Sequence, residues 1–141
     1  MTRTIENFLQ YVKIDTQSCE NTKNTPSTAK QHDLAKLLVR QLETLNAAEI
    51  TYDQEHCYIY ATIPASPGCE KSPVLGFIAH MDTSPAVTGT DVKPRIVENY
   101  DGGDILLNEA EQIFLSPSDF PELEALRGQD LIVTAGTTLL G

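Results

Sequence analysis

Long apolar runs are missing from this chain. No stretch of its 141 residues approaches the roughly 20 consecutive apolar positions of a membrane-spanning helix. The opening segment, Met1-Thr2-Arg3-Thr4-Ile5-Glu6-Asn7-Phe8, carries Glu6 where a secretory leader needs a continuous apolar stretch. A cytoplasmic location is the expectation. Positive charge is scarce as well, with 10 Lys and Arg against 20 Asp and Glu, a net charge of -10 and no basic cluster. Such a surface repels a phosphate backbone or an anionic bilayer, so neither nucleic acid nor a membrane is an expected partner. Cys19, Cys57 and Cys69 are odd in number and lack Cys-x-x-Cys spacing, which argues against a disulfide framework and a thiolate zinc site. They are expected to be free thiols. Also absent are Gly-x-Ser-x-Gly, His-Glu-x-x-His, a P-loop and Gly-x-Gly-x-x-Gly, and with them the working parts of serine hydrolases, single-helix zincins and nucleotide-binding folds. No internal repeat is visible.

What is present suits one domain with one core, since 40% of the residues are hydrophobic. Ile5, Phe8, Leu9 and Val12 recur at helical spacing behind Thr4, an apt N-cap. Residues 15–27 are small and polar, a loop long enough to be functional. A second helix is expected over 28–45, with Ser27 as cap and Leu34, Leu38, Leu42 and Leu45 on one stripe. His32, in its first turns, reads as solvated. Ile50–Asp53 and Cys57–Ile63 read as a hairpin with His56 at its turn; His56 and Cys57, on opposite faces, could not share a metal. Further on come a short extended piece at 95–98, a turn at Asp101-Gly102-Gly103-Asp104 lacking the ligand alternation of a calcium loop, and apolar pieces at 105–107 and 113–115. A helix over 120–126 stopped by Gly128 and a strand over 130–134 complete the pattern. This order predicts an α/β fold.

One stretch stands apart: Val74-Leu75-Gly76-Phe77-Ile78-Ala79-His80-Met81-Asp82-Thr83-Ser84-Pro85. An apolar run of strand length ends in a histidine and, two residues later, a carboxylate. It predicts a buried central strand with His80 and Asp82 at its carboxyl end, where open α/β sheets bind ligands. Residues i and i+2 of a strand share a face about 6.6 Å apart, at about 3.3 Å rise per residue, close enough for a carboxylate to orient an imidazole. A ligating histidine usually gives its second ring N–H to such a group. By itself, His-x-Asp also fits a hydrogen-bonded histidine beside a turn-capping aspartate.

The residues 78–85, Ile96-Val97-Glu98-Asn99-Tyr100-Asp101-Gly102-Gly103-Asp104-Ile105, Leu115-Ser116-Pro117, Phe120-Pro121-Glu122-Leu123 and Gly136-Thr137-Thr138-Leu139-Leu140-Gly141 resemble the peptidase T branch of the co-catalytic zinc exopeptidases. His-x-Asp-Thr alone points only to that superfamily, which includes aminoacylases, carboxypeptidase G-type enzymes and desuccinylases. The Ile-Val-Glu-Asn-Tyr and Thr-Leu-Leu-Gly segments point to the branch. The resemblance implies a metallopeptidase with two zinc ions that releases the N-terminal residue of tripeptides. His80 would be a metal ligand and Asp82 the catalytic aspartate that braces it. It also implies a mixed-sheet catalytic domain flanked by helices, with residues 1–141 as its N-terminal portion, and a separate lid domain through which homodimers form.

Two departures accompany it. The family follows Thr-Leu-Leu-Gly with Ala-Asp-Asp, whose aspartate bridges the zinc ions, and this sequence stops at Gly141. Ala135 stands where many relatives place an aspartate. The expectation is an N-terminal piece of a longer enzyme, inactive by itself. An aminoacylase, dipeptidase or desuccinylase, or a non-catalytic binding module of 141 residues, remains the alternative.

Overall fold

Two amphipathic stretches become helices, and both begin elsewhere than the candidate caps suggest. In the computed structural model, which describes residues 2–139, α1 spans Arg3–Tyr11 and α2 spans Gln31–Thr44. Leu140 and Gly141, the end of the Gly136–Gly141 segment, lie outside the described residues. Thr4 is inside α1 rather than at its cap, which is Thr2, and neither helix has a side-chain cap bond. Ser27, expected to cap α2, instead accepts hydrogen bonds from the Cys19 N–H at 3.1 Å and the Gln31 side-chain amide at 3.0 Å. The α1 stripe survives, with Ile5, Phe8 and Leu9 half-buried and Val12, just past α1, buried; of the α2 stripe Leu34 is buried and Leu38 and Leu42 are half-buried, whereas Leu45, past the helix end, is 59% exposed.

The chain divides into two compact units, so the single core expected from its length is split. One unit comprises residues 16–83. In it α2 packs against a hairpin of β1, Ala48–Asp53, and β2, Tyr58–Thr62, paired antiparallel with Asp53 opposite Tyr58. The short polar turn between them is the reason the hairpin is legible in the sequence. Leu34, Ala35 and Cys57 are buried here, beside two buried polar residues, Thr16 and Gln31.

The other unit comprises residues 1–15 and 84–141. β3, Arg95–Val97, pairs antiparallel with β6, Leu131–Val133, and β4, Ile105–Asn108, with β5, Ile113–Leu115. Between β5 and β6 the helix expected over 120–126 is a 3-10 helix, Pro121–Leu126, with Pro at its start. Tyr100, Ile105, Leu123 and Val133 form the core, flanked by Val97, Leu107, Leu115, Leu126 and Leu131. Fully burying such a side chain contributes about 1.5–3 kcal/mol. The Tyr100 hydroxyl donates to the Gly103 carbonyl at 2.7 Å, which satisfies its one polar atom inside the core. The 101–104 cluster is a turn, as read from its composition: the Gly103 N–H donates to Asp101 Oδ1, and Gly102 has φ +91°. A Cβ at Gly102 would meet only the movable Arg127 guanidinium, so it is the positive φ that favours glycine there.

α and β elements mix as expected, but the strands form three separate two-stranded antiparallel sheets among the described residues, not one mixed sheet. The buried central strand is the main correction. Residues 73–80 adopt no regular structure and are exposed throughout, with Val74 at 96%, Phe77 at 93% and Ile78 at 102% relative exposure. The physical reason is that a strand exists only against a neighbour that satisfies its N–H and C=O groups. Among the described residues none lies alongside this stretch.

Candidate active site

Within the unit of residues 16–83, the groove between β2 and the 77–82 segment holds both residues singled out by the sequence. Its volume is about 870 Å³. Tyr58, Tyr60, Leu38 and Leu42 give it an apolar wall, and Phe77, Ile78, His80 and Asp82 line it as well.

His80 and Asp82 are in contact, although not through the strand geometry expected of them. The ring Nδ1 of His80 donates to the Asp82 backbone carbonyl at 2.8 Å and lies 3.1 Å from Asp82 Oδ1. A carbonyl oxygen only accepts, so Nδ1 carries a proton, and in the neutral imidazole the lone pair is then on Nε2. The His80 side chain is 84% exposed and that of Asp82 44%. The arrangement leaves Nε2 of an imidazole ring oriented by Asp82 and exposed.

The two other histidines are committed elsewhere. His56 Nδ1 donates to Asp53 Oδ2 at 2.8 Å at the hairpin turn, and its ring stacks on Tyr58 with centroids 6.1 Å apart. The hydrogen bond to Asp53, more than the charge attraction, raises the His56 pKa above its ordinary 6.5, and the same bond lowers that of Asp53. His32, expected to be solvated, is half-buried and hydrogen-bonded through Nδ1 to the Tyr52 hydroxyl. That hydroxyl also bonds the Cys57 thiol. Burial raises the pKa of Tyr52 and of Cys57, the thiolate being the costlier state in an apolar setting. Among the described residues no group of three or more His, Cys, Asp or Glu could hold a metal ion.

One set of contacts was not legible in the sequence. Thr83, next to Asp82, forms an isolated parallel bridge with Gln17, from the polar loop that follows α1. The loop's length marked it as functional, but nothing in its composition named a partner 65 or more residues away.

This chain is similar to proteins named peptidase T. It is 52% identical over its whole length to the peptidase T of Alkaliphilus oremlandii, and over 97% of its length 56% identical to that of Geobacillus sp. strain WCH70 and 53% to that of Geobacillus thermodenitrificans. The chain spans about a third of the length of these relatives, 34%, 33% and 33% respectively. No protein-family model matches it. The resemblance to peptidase T carried by a few motifs thus extends along the entire chain.

Proposed function

We propose that this chain belongs to a zinc-dependent aminopeptidase that releases the N-terminal residue from tripeptides. The observation that carries the reading is about 50% identity to peptidase T along the whole chain. Residues 1–141 are then the N-terminal portion of a mixed-sheet catalytic domain. The remaining strands and a lid domain that makes homodimers reside in the two-thirds of the relatives' length that this chain does not span. The enzyme works in the cytoplasm on short peptides; no helix among the described residues is long and apolar enough to cross a membrane.

His80 is read as a ligand of one of two zinc ions and Asp82 as its brace. The donor set fits one ligand position: Nδ1 is engaged by Asp82, which in the neutral ring puts the lone pair that a metal requires on Nε2. A catalytic zinc takes three protein ligands, so the others come from outside this set. When bound, zinc supplies Lewis acidity toward the scissile carbonyl and an acidified water for the attack. Asp82 contributes by holding the imidazole in one tautomer and orientation. Tyr58, Tyr60, Leu38 and Leu42 line the same groove.

The test is release of the N-terminal residue from a tripeptide by the full-length protein, with and without a chelator, beside a dipeptide and an N-acylated amino acid. Chelator-sensitive cleavage of the tripeptide alone is expected. Preference for the acylated amino acid would move the protein to the aminoacylase branch.

A further inference from the structure

The 73–83 stretch has a single anchor among the described residues, and it adjoins Asp82. Both backbone groups of Thr83 are engaged: its N–H donates to the Thr16 carbonyl at 3.2 Å, and its carbonyl accepts from the Ser18 N–H at 2.9 Å. The Ser18 hydroxyl donates to that same carbonyl at 2.9 Å, and the Thr16 and Thr83 hydroxyls are 3.5 Å apart. No backbone hydrogen bond between residues 73–82 and another segment is present among the described residues. The direction in which Asp82 leaves the chain, and with it the His80 ring bonded to Asp82, is therefore set from the Thr83 side.

The strap formed by residues 16–19 is itself fastened to the segment leading into α2. The Thr28 hydroxyl donates to the Gln17 carbonyl at 2.8 Å, and the Cys19 N–H to Ser27 Oγ at 3.1 Å. The buried Gln31 amide reaches both hydroxyls, at 3.0 Å to Ser27 and 3.3 Å to Thr28. Thr16 is 2% exposed. Linked hydrogen bonds of this kind, part-buried except at Cys19, hold their members to one geometry more firmly than isolated surface bonds do.

We propose that Ser18 is a positioning residue for the His80–Asp82 pair, acting through the Thr83 carbonyl. Its N–H and hydroxyl converge on one oxygen from two directions, which fixes the orientation of the peptide plane as well as the position of Thr83. Asp82 then presents both its carbonyl and its carboxylate to the Nδ1 proton of His80. The metal-related consequence rests on the reading of His80 as a ligand; the orientation of the ring does not.

The experiment compares Ser18→Ala and Ser18→Thr with the wild type in the full-length protein. Nitrogen-15 NMR of the metal-free imidazoles, with His80 assigned from a His80→Gln variant, reads the tautomer directly. The wild type and Ser18→Thr are expected to hold His80 as the single Nδ1–H form, and a folded Ser18→Ala to give a mixture. Zinc affinity, measured by competition with a chromophoric chelator, is expected to fall about 10-fold in Ser18→Ala and to recover in Ser18→Thr, at the low end of what lost support around a ligand costs. An unchanged tautomer in a folded Ser18→Ala would overturn the positioning role whatever zinc does. A wild type that holds the tautomer but binds no zinc would instead defeat the metal reading and leave the positioning role standing.

Discussion

Asp82 offers the Nδ1 proton of His80 two acceptors, its backbone carbonyl at 2.8 Å and its carboxylate oxygen at 3.1 Å. One of these survives any substitution at position 82 and the other does not. Asp82→Ala in the full-length protein should therefore leave the His80 tautomer biased but its ring less firmly held. Activity on a tripeptide should fall about 10- to 100-fold, the usual cost of removing a group that braces a ligand. Because the side chain is 44% exposed, thermal stability should hardly change. Steady-state kinetics and circular dichroism check this; wild-type turnover by the folded variant would remove Asp82 from the site.

The 141-residue chain alone should bind zinc weakly and leave tripeptides intact, because the described residues hold no group of three metal-binding side chains. Isothermal titration with zinc reads this. A tight stoichiometric site would contradict the ligand assignment.

The exposed 74–79 stretch carries a prediction about solubility. Val74, Leu75, Phe77 and Ile78 are between 79% and 102% exposed, on a stretch whose backbone groups have no strand beside them. Such a segment is a template for pairing with another copy. The 141-residue chain should self-associate at micromolar concentration, and Phe77→Lys with Ile78→Lys should shift it toward monomer in sedimentation velocity. A strictly monomeric wild type would refute this.

The pair at the hairpin turn should depend on pH in a defined window. The hydrogen bond to Asp53 raises the His56 pKa above 6.5, so its contribution to stability is fully present below pH 6.5 and is lost as pH rises through the raised value. Asp53 is lowered from 3.8, so its contribution is present above pH 3.8 and is lost as pH falls through the lowered value. The pair therefore supports the turn most between these two limits. Asp53→Asn keeps an oxygen for the Glu55 and His56 N–H groups and removes the charge. The His56 ring, followed by NMR, should then titrate closer to 6.5; an unmoved midpoint would dismiss the pairing.

Thiol reactivity should separate the cysteines. Cys19 and Cys69 are exposed, while Cys57 is buried with its pKa raised by desolvation. Iodoacetamide should label two thiols in the native chain and the third only after denaturation. Equal labelling of all three in the folded chain would contradict the burial of Cys57.

Read from the sequence alone, α1, α2, the β1–β2 hairpin and the 101–104 turn were legible, and so was the contact between His80 and Asp82, though not its geometry. Each depends on residues close together in the chain: a 3.6-residue stripe, a short turn, a glycine pair, a two-residue spacing. The resemblance to peptidase T was legible for a related reason, since it resides in short ordered motifs. Four things were decided only in three dimensions. β3 found β6, with Arg95 opposite Val133, and the Ser18 hydroxyl found the Thr83 carbonyl across 65 residues, pairings that no local period encodes. Ser27, a sound cap by type, went to Gln31 and the strap because those bonds were within reach once α2 began at Gln31. The 74–79 run has the composition of a buried strand, and composition sets only its preference for company. Burial is a property of what lies alongside, and beside these residues the described chain supplies no strand.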